Sequence, residues 1–171
     1  MKATPTPITL AFSLALALAV VPTLAAAGGD WNDAGIAWKS YEDGLAEAKK
    51  TNKPVVLIFY TDWCPHCTRY SGVFHDPKVV DAAKQFVMIR LNKDQNQEVS
   101  AKYAPDGEYI PRTYFLASDG TLQSDIHEKR DRYLYFYDAS DAGALLRGMD
   151  EAREKLGAKS QGAAADGADK G

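Results

Sequence analysis

The run Val55-Val56-Leu57-Ile58-Phe59-Tyr60 is apolar at every position, and three residues on it meets Trp63-Cys64-Pro65-His66-Cys67. Successive side chains of a strand point to opposite faces, so a strand apolar at every position must be covered on both sides. That makes it the central strand of a sheet between two layers, and it makes the Cys-x-x-Cys run the segment leaving the sheet's edge. These are the chain's only two cysteines. A thiol pair at this spacing can close into a small ring and reopen, exchanging two electrons with another protein's cysteines.

The elements around that strand follow from local signals. Ser40-Tyr41-Glu42-Asp43 has the form of a capping box and predicts a helix to about Lys50, with Leu45 and Ala48 on its inner face and Asn52-Lys53-Pro54 ending it. A helix is expected from Cys64 to about Val73. Another starts at Asp76-Pro77, with an N-cap acid, proline in the first turn and Val79, Val80 and Ala83 facing inward. Phe86 to Leu91 reads as a second central strand. Gln95 to Tyr103 is weakly helical, and Pro105-Asp106-Gly107 is a turn. Thr113 to Leu116 is a third strand, and Ser118-Asp119-Gly120 turns it into an expected partner strand, Thr121 to Ile126. In the aromatic stretch Tyr133 to Tyr137 one face is expected in the core. A last helix is expected from Ser140 to Leu156, with Leu145, Leu146, Met149 and Ala152 at core spacing and Gly157 as its stop. Strands separated by helices imply parallel pairing, and the last two an antiparallel hairpin. The predicted fold class is α/β: a central mixed β-sheet flanked by helices on both faces.

Length allows one domain with a real core: 171 residues, 46% apolar, net charge -3. No basic surface is declared, so neither nucleic acid nor anionic lipid is an expected partner. The first 27 residues read as a secretory signal: Lys2, an apolar stretch from Ile8 to Val21, a break at Pro22, and Ala25-Ala26-Ala27 as a small-residue cleavage site. The alternative is an uncleaved anchor, which the stretch is short for, since spanning takes about 20 residues. The expected organisation is a signal peptide over 1–27, a domain over 28–156 and a disordered tail over 157–171 rich in Gly, Ala, Lys and Asp. Cleavage after Ala27 removes one lysine and no acid, taking the net charge to -4.

In an oxidising compartment a lone cysteine pair could also be a structural staple. A Cys-x-x-Cys bridge closes too short a loop to constrain much of the unfolded chain, so a redox role is preferred. Two thiols plus His66 could instead hold a soft metal such as Cu(I). Zinc would want four ligands, and no second Cys or His pair is spaced to supply them. His75 and His127 read as surface residues. No bound cofactor and no structural metal are expected. Pro111 on position alone reads equally as cis or trans, Arg112 as a substrate contact or a partner of an acid, and Trp63 as a shield over the sulfur or a core residue.

Trp63-Cys64-Pro65-His66-Cys67, the later Ile110-Pro111 and the strand order around them resemble the thioredoxin superfamily. Pro65-His66 is the dipeptide found between the cysteines of DsbA-type oxidants. The wider text is similar to the anterior gradient proteins, small single-domain relatives of the endoplasmic reticulum. The matching stretches are Glu42-Asp43-Gly44-Leu45, Phe86-Val87-Met88, Pro105-Asp106-Gly107, Tyr109-Ile110-Pro111-Arg112, Tyr135-Phe136-Tyr137 and Gly148-Met149. The resemblance implies a thioredoxin-like fold and a thiol–disulfide oxidoreductase. Cys64 would be the exposed nucleophile, its thiolate favoured by helix amides and by His66. Cys67 would be the buried resolving thiol, and the two would form a redox-active disulfide. Pro65 would occupy an early helical position. Pro111 would be cis and face the cysteines, with Ile110 and Trp63 beside the substrate.

Potentials in this fold span about -270 to -120 mV, and Pro65-His66 argues for the oxidising half. The chain departs from the family pattern at three points, one being that it keeps Cys67 where anterior gradient members often lack the second cysteine. It ends Ala-Asp-Lys-Gly, without a retention signal. It also has Ile58 where thioredoxins carry a buried acid, so Lys53, Asp62 or water would have to assist Cys67, or resolution would be slow. Expected partners are proteins with cysteines or disulfides and a separate redox protein, the chain itself being a monomer. The expected location is the periplasm or the exterior, with no membrane attachment after cleavage.

Overall fold

A computed structural model describes residues 28–168, with side chains through Gly157. Four strands, β1 (Trp38–Lys39), β2 (Val55–Tyr60), β3 (Val87–Asn92) and β4 (Arg112–Leu116), form one sheet in the order β1-β3-β2-β4. β3 runs parallel to β1 and β2, while β4 is antiparallel to β2. Five helices cover the sheet: α1 (Tyr41–Thr51), α2 (Pro65–Ser71), α3 (Pro77–Ala83), α4 (Gln97–Lys102) and α5 (Ala142–Ala168). The mixed α/β sheet expected from the sequence is present.

β2 is buried on both faces, as its uniform apolarity requires. Val56 and Ile58 join a core with Cys67, Tyr70, Phe74, Val79, Leu145 and Met149, on the side of α2, α3 and α5. Val55, Leu57 and Phe59 join a second core with Ala48, Ile89, Tyr103 and Tyr114, on the side of α1. Period-two alternation thus divides one apolar run between two cores.

α1 begins as its capping box predicts. The Ser40 hydroxyl accepts the Asp43 N–H, an arrangement worth about 1 kcal/mol, and Asn52 ends the helix in the left-handed region with φ 55°. Asp76 caps α3, with Pro77 in the first turn. The helix expected to run from Cys64 to Val73 is α2 followed by a tighter 3₁₀ turn, Gly72–His75, and Cys64 is its N-cap.

Two expectations are corrected. Thr121 to Ile126 does not form a strand. The turn closes, with the Gly120 N–H on the Ala117 carbonyl at 2.9 Å and the Gln123 N–H on the Phe115 carbonyl at 2.9 Å, but pairing stops at the single bridge Leu116–Leu122. The chain then turns so that Ile126 enters the core fully buried. Gly157 does not stop α5, which continues to Ala168 through the segment expected to be a disordered tail. A mid-helix glycine costs about 1 kcal/mol relative to alanine, and its alanine, lysine and glutamine neighbours are good helix formers. The expected signal peptide and its cleavage site lie outside the described residues. No helix among those residues is long and apolar enough to cross a membrane.

Candidate functional site

Cys64 stands where the chain leaves β2 and enters α2, beside the point where β4 begins. As N-cap it has extended backbone (φ -86°, ψ 114°), and its Sγ accepts the Cys67 N–H at 3.3 Å. Pro65 takes the first helical position, where a missing N–H costs nothing. The Cys67 side chain turns inward into the core, fully buried, and burial pushes its thiol above the ordinary range, with the bond to Cys64 adding to the rise. Both cysteines are free thiols.

The Ile110–Pro111 peptide is cis, as the resemblance implied. The carbonyl of Ile110 lies 4.0 Å from the Cys64 Sγ. Ile110 is half-buried and Pro111 buried. β4 follows directly, paired in register so that Thr113 opposes Ile58 and Arg112 opposes Phe59. This antiparallel pairing brings residues 46 apart in sequence together at one sulfur.

Cys64 is less open than expected. It is 4% exposed and counts among the buried residues, so it is not the projecting, exposed nucleophile that the resemblance implied. Nor does Trp63 shield that sulfur or enter the core. It is 70% exposed, and its indole N–H donates to Asp94 Oδ2 at 2.8 Å. The signal for Trp63 was ambiguous because an indole can satisfy its N–H at a surface as well as in a core.

His66 is exposed, and its ring meets α2 and the 130s segment. Nδ1 accepts from Arg69 Nη2 at 3.0 Å, since a guanidinium only donates, so the ring's own N–H is on Nε2. The ring also packs edge-on against Phe136 at 5.8 Å. No hydrogen bond joins it to either sulfur among the described residues. The spacing of three from His66 could have found Arg69, because such residues share a helix face. No local signal could have found Phe136, 70 positions away in sequence.

Of the groups expected to assist Cys67, Lys53 is excluded by place. It precedes β2, at the end of the strand opposite the cysteines, and donates to the Lys84 carbonyl at 3.0 Å. Asp62 is close in sequence, but it accepts from Asn92 at 2.9 Å and faces solvent. Ile58 is fully buried, as are Thr61, Tyr70 and Thr113, so the polar groups of this layer are hydroxyls. Tyr70 and Thr113 share a hydrogen bond of 2.8 Å, and the Thr61 hydroxyl has no partner.

Arg112 neither touches the surface nor pairs with an acid. It is fully buried, stacked on Phe59 at 4.8 Å, and donates to the carbonyls of Tyr103 and Gly107, both at 3.1 Å, and to the Ser100 hydroxyl. His75 is exposed and meets the Asp30 carbonyl, while His127, expected at the surface, is half-buried between the Glu128 carbonyl and the Tyr135 ring. Among the described residues no group of three His, Cys, Asp or Glu side chains is placed to hold a metal. An open concavity of about 310 Å³, lined by Ile36, Lys53, Val80 and Met88, lies at the far end of β2 from the cysteines.

Two buried free thiols thus stand at the end of the central strand, opposite a cis-proline loop. A family model described as Thioredoxin-like matches residues 37–118. Human anterior gradient protein 2 homolog is 33% identical over 127 residues, 74% of this chain and 71% of that one. Anterior gradient protein 3 of Xenopus tropicalis is 33% identical over 125 residues, 71% of this chain and 74% of its own. A Thermus thermophilus thioredoxin shares the fold, with a TM-score of 0.57 at 24% identity, over 74% of this chain and 93% of that one. The chain belongs to the thioredoxin-like proteins, in the family of the anterior gradient proteins.

Proposed function

We propose that the protein is an exported thiol–disulfide oxidoreductase that exchanges disulfides with protein clients through Cys64 and Cys67. The observation carrying this reading is the placement of the two sulfurs. One, 4% exposed as a residue, lies beside the Ile110 carbonyl while accepting the Cys67 N–H, and the other is fully buried.

In the reducing direction the Cys64 thiolate attacks one sulfur of a client disulfide. The client S–S bond breaks, one client sulfur leaves as thiolate, and a mixed disulfide joins Cys64 to the other. Cys67 then loses its proton and attacks Cys64, freeing the second client thiolate and closing the Cys64–Cys67 disulfide. Two electrons pass to the client, and a dithiol protein must restore the starting form. Oxidation of a client dithiol is the reverse, with a disulfide-bearing partner as the electron acceptor. The hydrogen bond from the Cys67 N–H to the Cys64 Sγ stabilises a sulfur anion in either direction. No bound cofactor is needed for these steps.

Insulin reduction and oxidation of a dithiol peptide test the reading. The wild-type protein is expected to exceed Cys64→Ser by orders of magnitude. Equal rates would favour a non-catalytic protein of the same fold, either a client-binding module or a copper-handling chaperone. Export rests on the pattern of residues 1–27. Mass analysis of the secreted or periplasmic chain is expected to find Gly28 as the first residue.

A further inference from the structure

Resting on that exchange reading, we propose that the rim of the site beside β4 binds an acidic side chain of the client, so that the protein selects segments carrying Asp or Glu next to the exchanging cysteine.

Three contacts build this rim outward from the Cys-x-x-Cys run. Arg69 Nη2 meets His66 at 3.0 Å, His66 meets Phe136 at 5.8 Å, and the Arg130 guanidinium lies over Phe136 at 5.7 Å. The segment that brings Phe136 is held beside β4 by the Thr113 N–H on the Tyr135 carbonyl at 2.8 Å. In the same segment Arg132 stacks on Tyr133, which is 48% exposed. Arg69, Arg130 and Arg132 are all exposed, and none forms an ion pair among the described residues, whereas Arg90, Arg147 and Arg153 each do.

No acid nearby is in an ion pair with this rim among the described residues. Asp138 Oδ1 accepts both the N–H and the hydroxyl of Ser140, and these hold its carboxyl below the usual carboxylate range, with Arg130 a lesser contributor. Glu128 and Asp131 lie in the same segment without an ion pair to either flanking arginine. Residues 128–138 balance Lys129, Arg130 and Arg132 against Glu128, Asp131 and Asp138, and Arg69 adds one more positive charge beside His66. The other rim is opposite in sign. On the side of β3, Asp94 accepts from Trp63 and Asp62 from Asn92, and neither is in an ion pair. An extended client crossing Cys64 therefore meets carboxylates on the β3 side and guanidinium groups on the β4 side.

An arginine fork matches a carboxylate in shape as well as in charge, and an aromatic face beneath it limits its hydration. Exposed pairs are individually weak, so two arginines acting together suit a selectivity of about threefold to tenfold, expressed mainly in association.

Disulfide-linked model peptides whose cysteines are flanked by Asp, by Ser or by Lys test this by stopped-flow exchange at low ionic strength, with a small neutral disulfide alongside. The Asp peptide is expected to react about threefold to tenfold faster than the Lys peptide. Arg69→Gln combined with Arg130→Gln should bring that ratio near one, and so should about 0.5 M salt in the wild type, by screening. Equal rates for the three peptides in the wild type, or a ratio that survives both arginine changes, overturns the selectivity while leaving the exchange reading intact. A wild-type protein that fails even on the neutral disulfide overturns both.

Discussion

At the scale of single residues, resolution by Cys67 is expected to be the slow step. Burial pushes its thiol above the ordinary range, and no carboxylate stands at Ile58 to take its proton. The fraction present as thiolate therefore keeps rising through neutral and mildly alkaline pH. Resolution of a mixed disulfide on Cys64 is expected to accelerate about tenfold per pH unit between about pH 6 and 9 without levelling. Single-turnover kinetics with a trapped client would check this, and a plateau near pH 8 would sink it, since it would require a base that lowers the Cys67 thiol. Cys67→Ser is expected to hold the mixed disulfide, visible as a client adduct by mass that persists for hours. The cysteines and Pro65 were legible in the sequence because their chemistry is tied to residue type, whereas the cis form of Pro111 came from the family resemblance alone. The roles of Trp63, His66 and Arg112 were not legible, because each is decided by partners between 3 and 70 positions away: Arg69 and Phe136 for His66, Asp94 for Trp63, and Ser100, Tyr103 and Gly107 for Arg112.

Between elements, Arg112 acts as a cap placed from another strand. Its guanidinium reaches the Tyr103 carbonyl, the Ser100 hydroxyl and the Gly107 carbonyl, binding the end of α4 and the turn after it to the first residue of β4. A cation is favourable at a helix C-terminus, and the Arg112 side chain that supplies it is fully buried. Arg112→Met is expected to cost about 3 kcal/mol or more, measured as a lower urea midpoint at unchanged slope, and to slow exchange because Ile110 and Pro111 lean on the same strand start. α5 packs close on the sheet at Gly148, where an added Cβ would stand 2.8 Å from the Phe115 ring and 2.9 Å from the Tyr137 hydroxyl. Both are buried, so Gly148→Ala should lose about 1–3 kcal/mol by thermal unfolding while leaving the cysteines' surroundings in place. The helices and central strands were readable from caps and periodicity. The end of α5 and the absence of a strand over Thr121 to Ile126 were not, because turn residues at 118–120 specify a reversal but not how far pairing continues after it.

Across the whole molecule, the core extends before the first strand. Trp31 and Ile36 are each 3% exposed, and Trp31 packs against Tyr60, Tyr70 and Phe74 at 5.2 to 6.1 Å. Arg90 lies over Trp31 and Trp38 and pairs with Asp33 at 2.8 Å, fastening this lead segment to β3. A chain begun at Trp38 is expected to lose about 3–5 kcal/mol against one begun at Gly28, by chemical denaturation of both. Redox state should also change stability as a whole-molecule property. An oxidising dithiol pair is one whose reduced form is the more stable, so reduction is expected to raise Tm. A disulfide form that melts higher than the dithiol form would place the protein among reductants instead.

The sequence by itself determined a two-layered sheet around β2 and a thiol pair at its end, because apolar alternation, caps and cysteine spacing act over a few residues. Only the tertiary structure decided how open Cys64 is, which way Trp63 and His66 turn, and which charges border each side of the sulfur. Those depend on antiparallel pairing and loop packing that bring Ile110, Phe136 and Arg130 to the helix carrying the cysteines, and no local pattern encodes distances across so many positions.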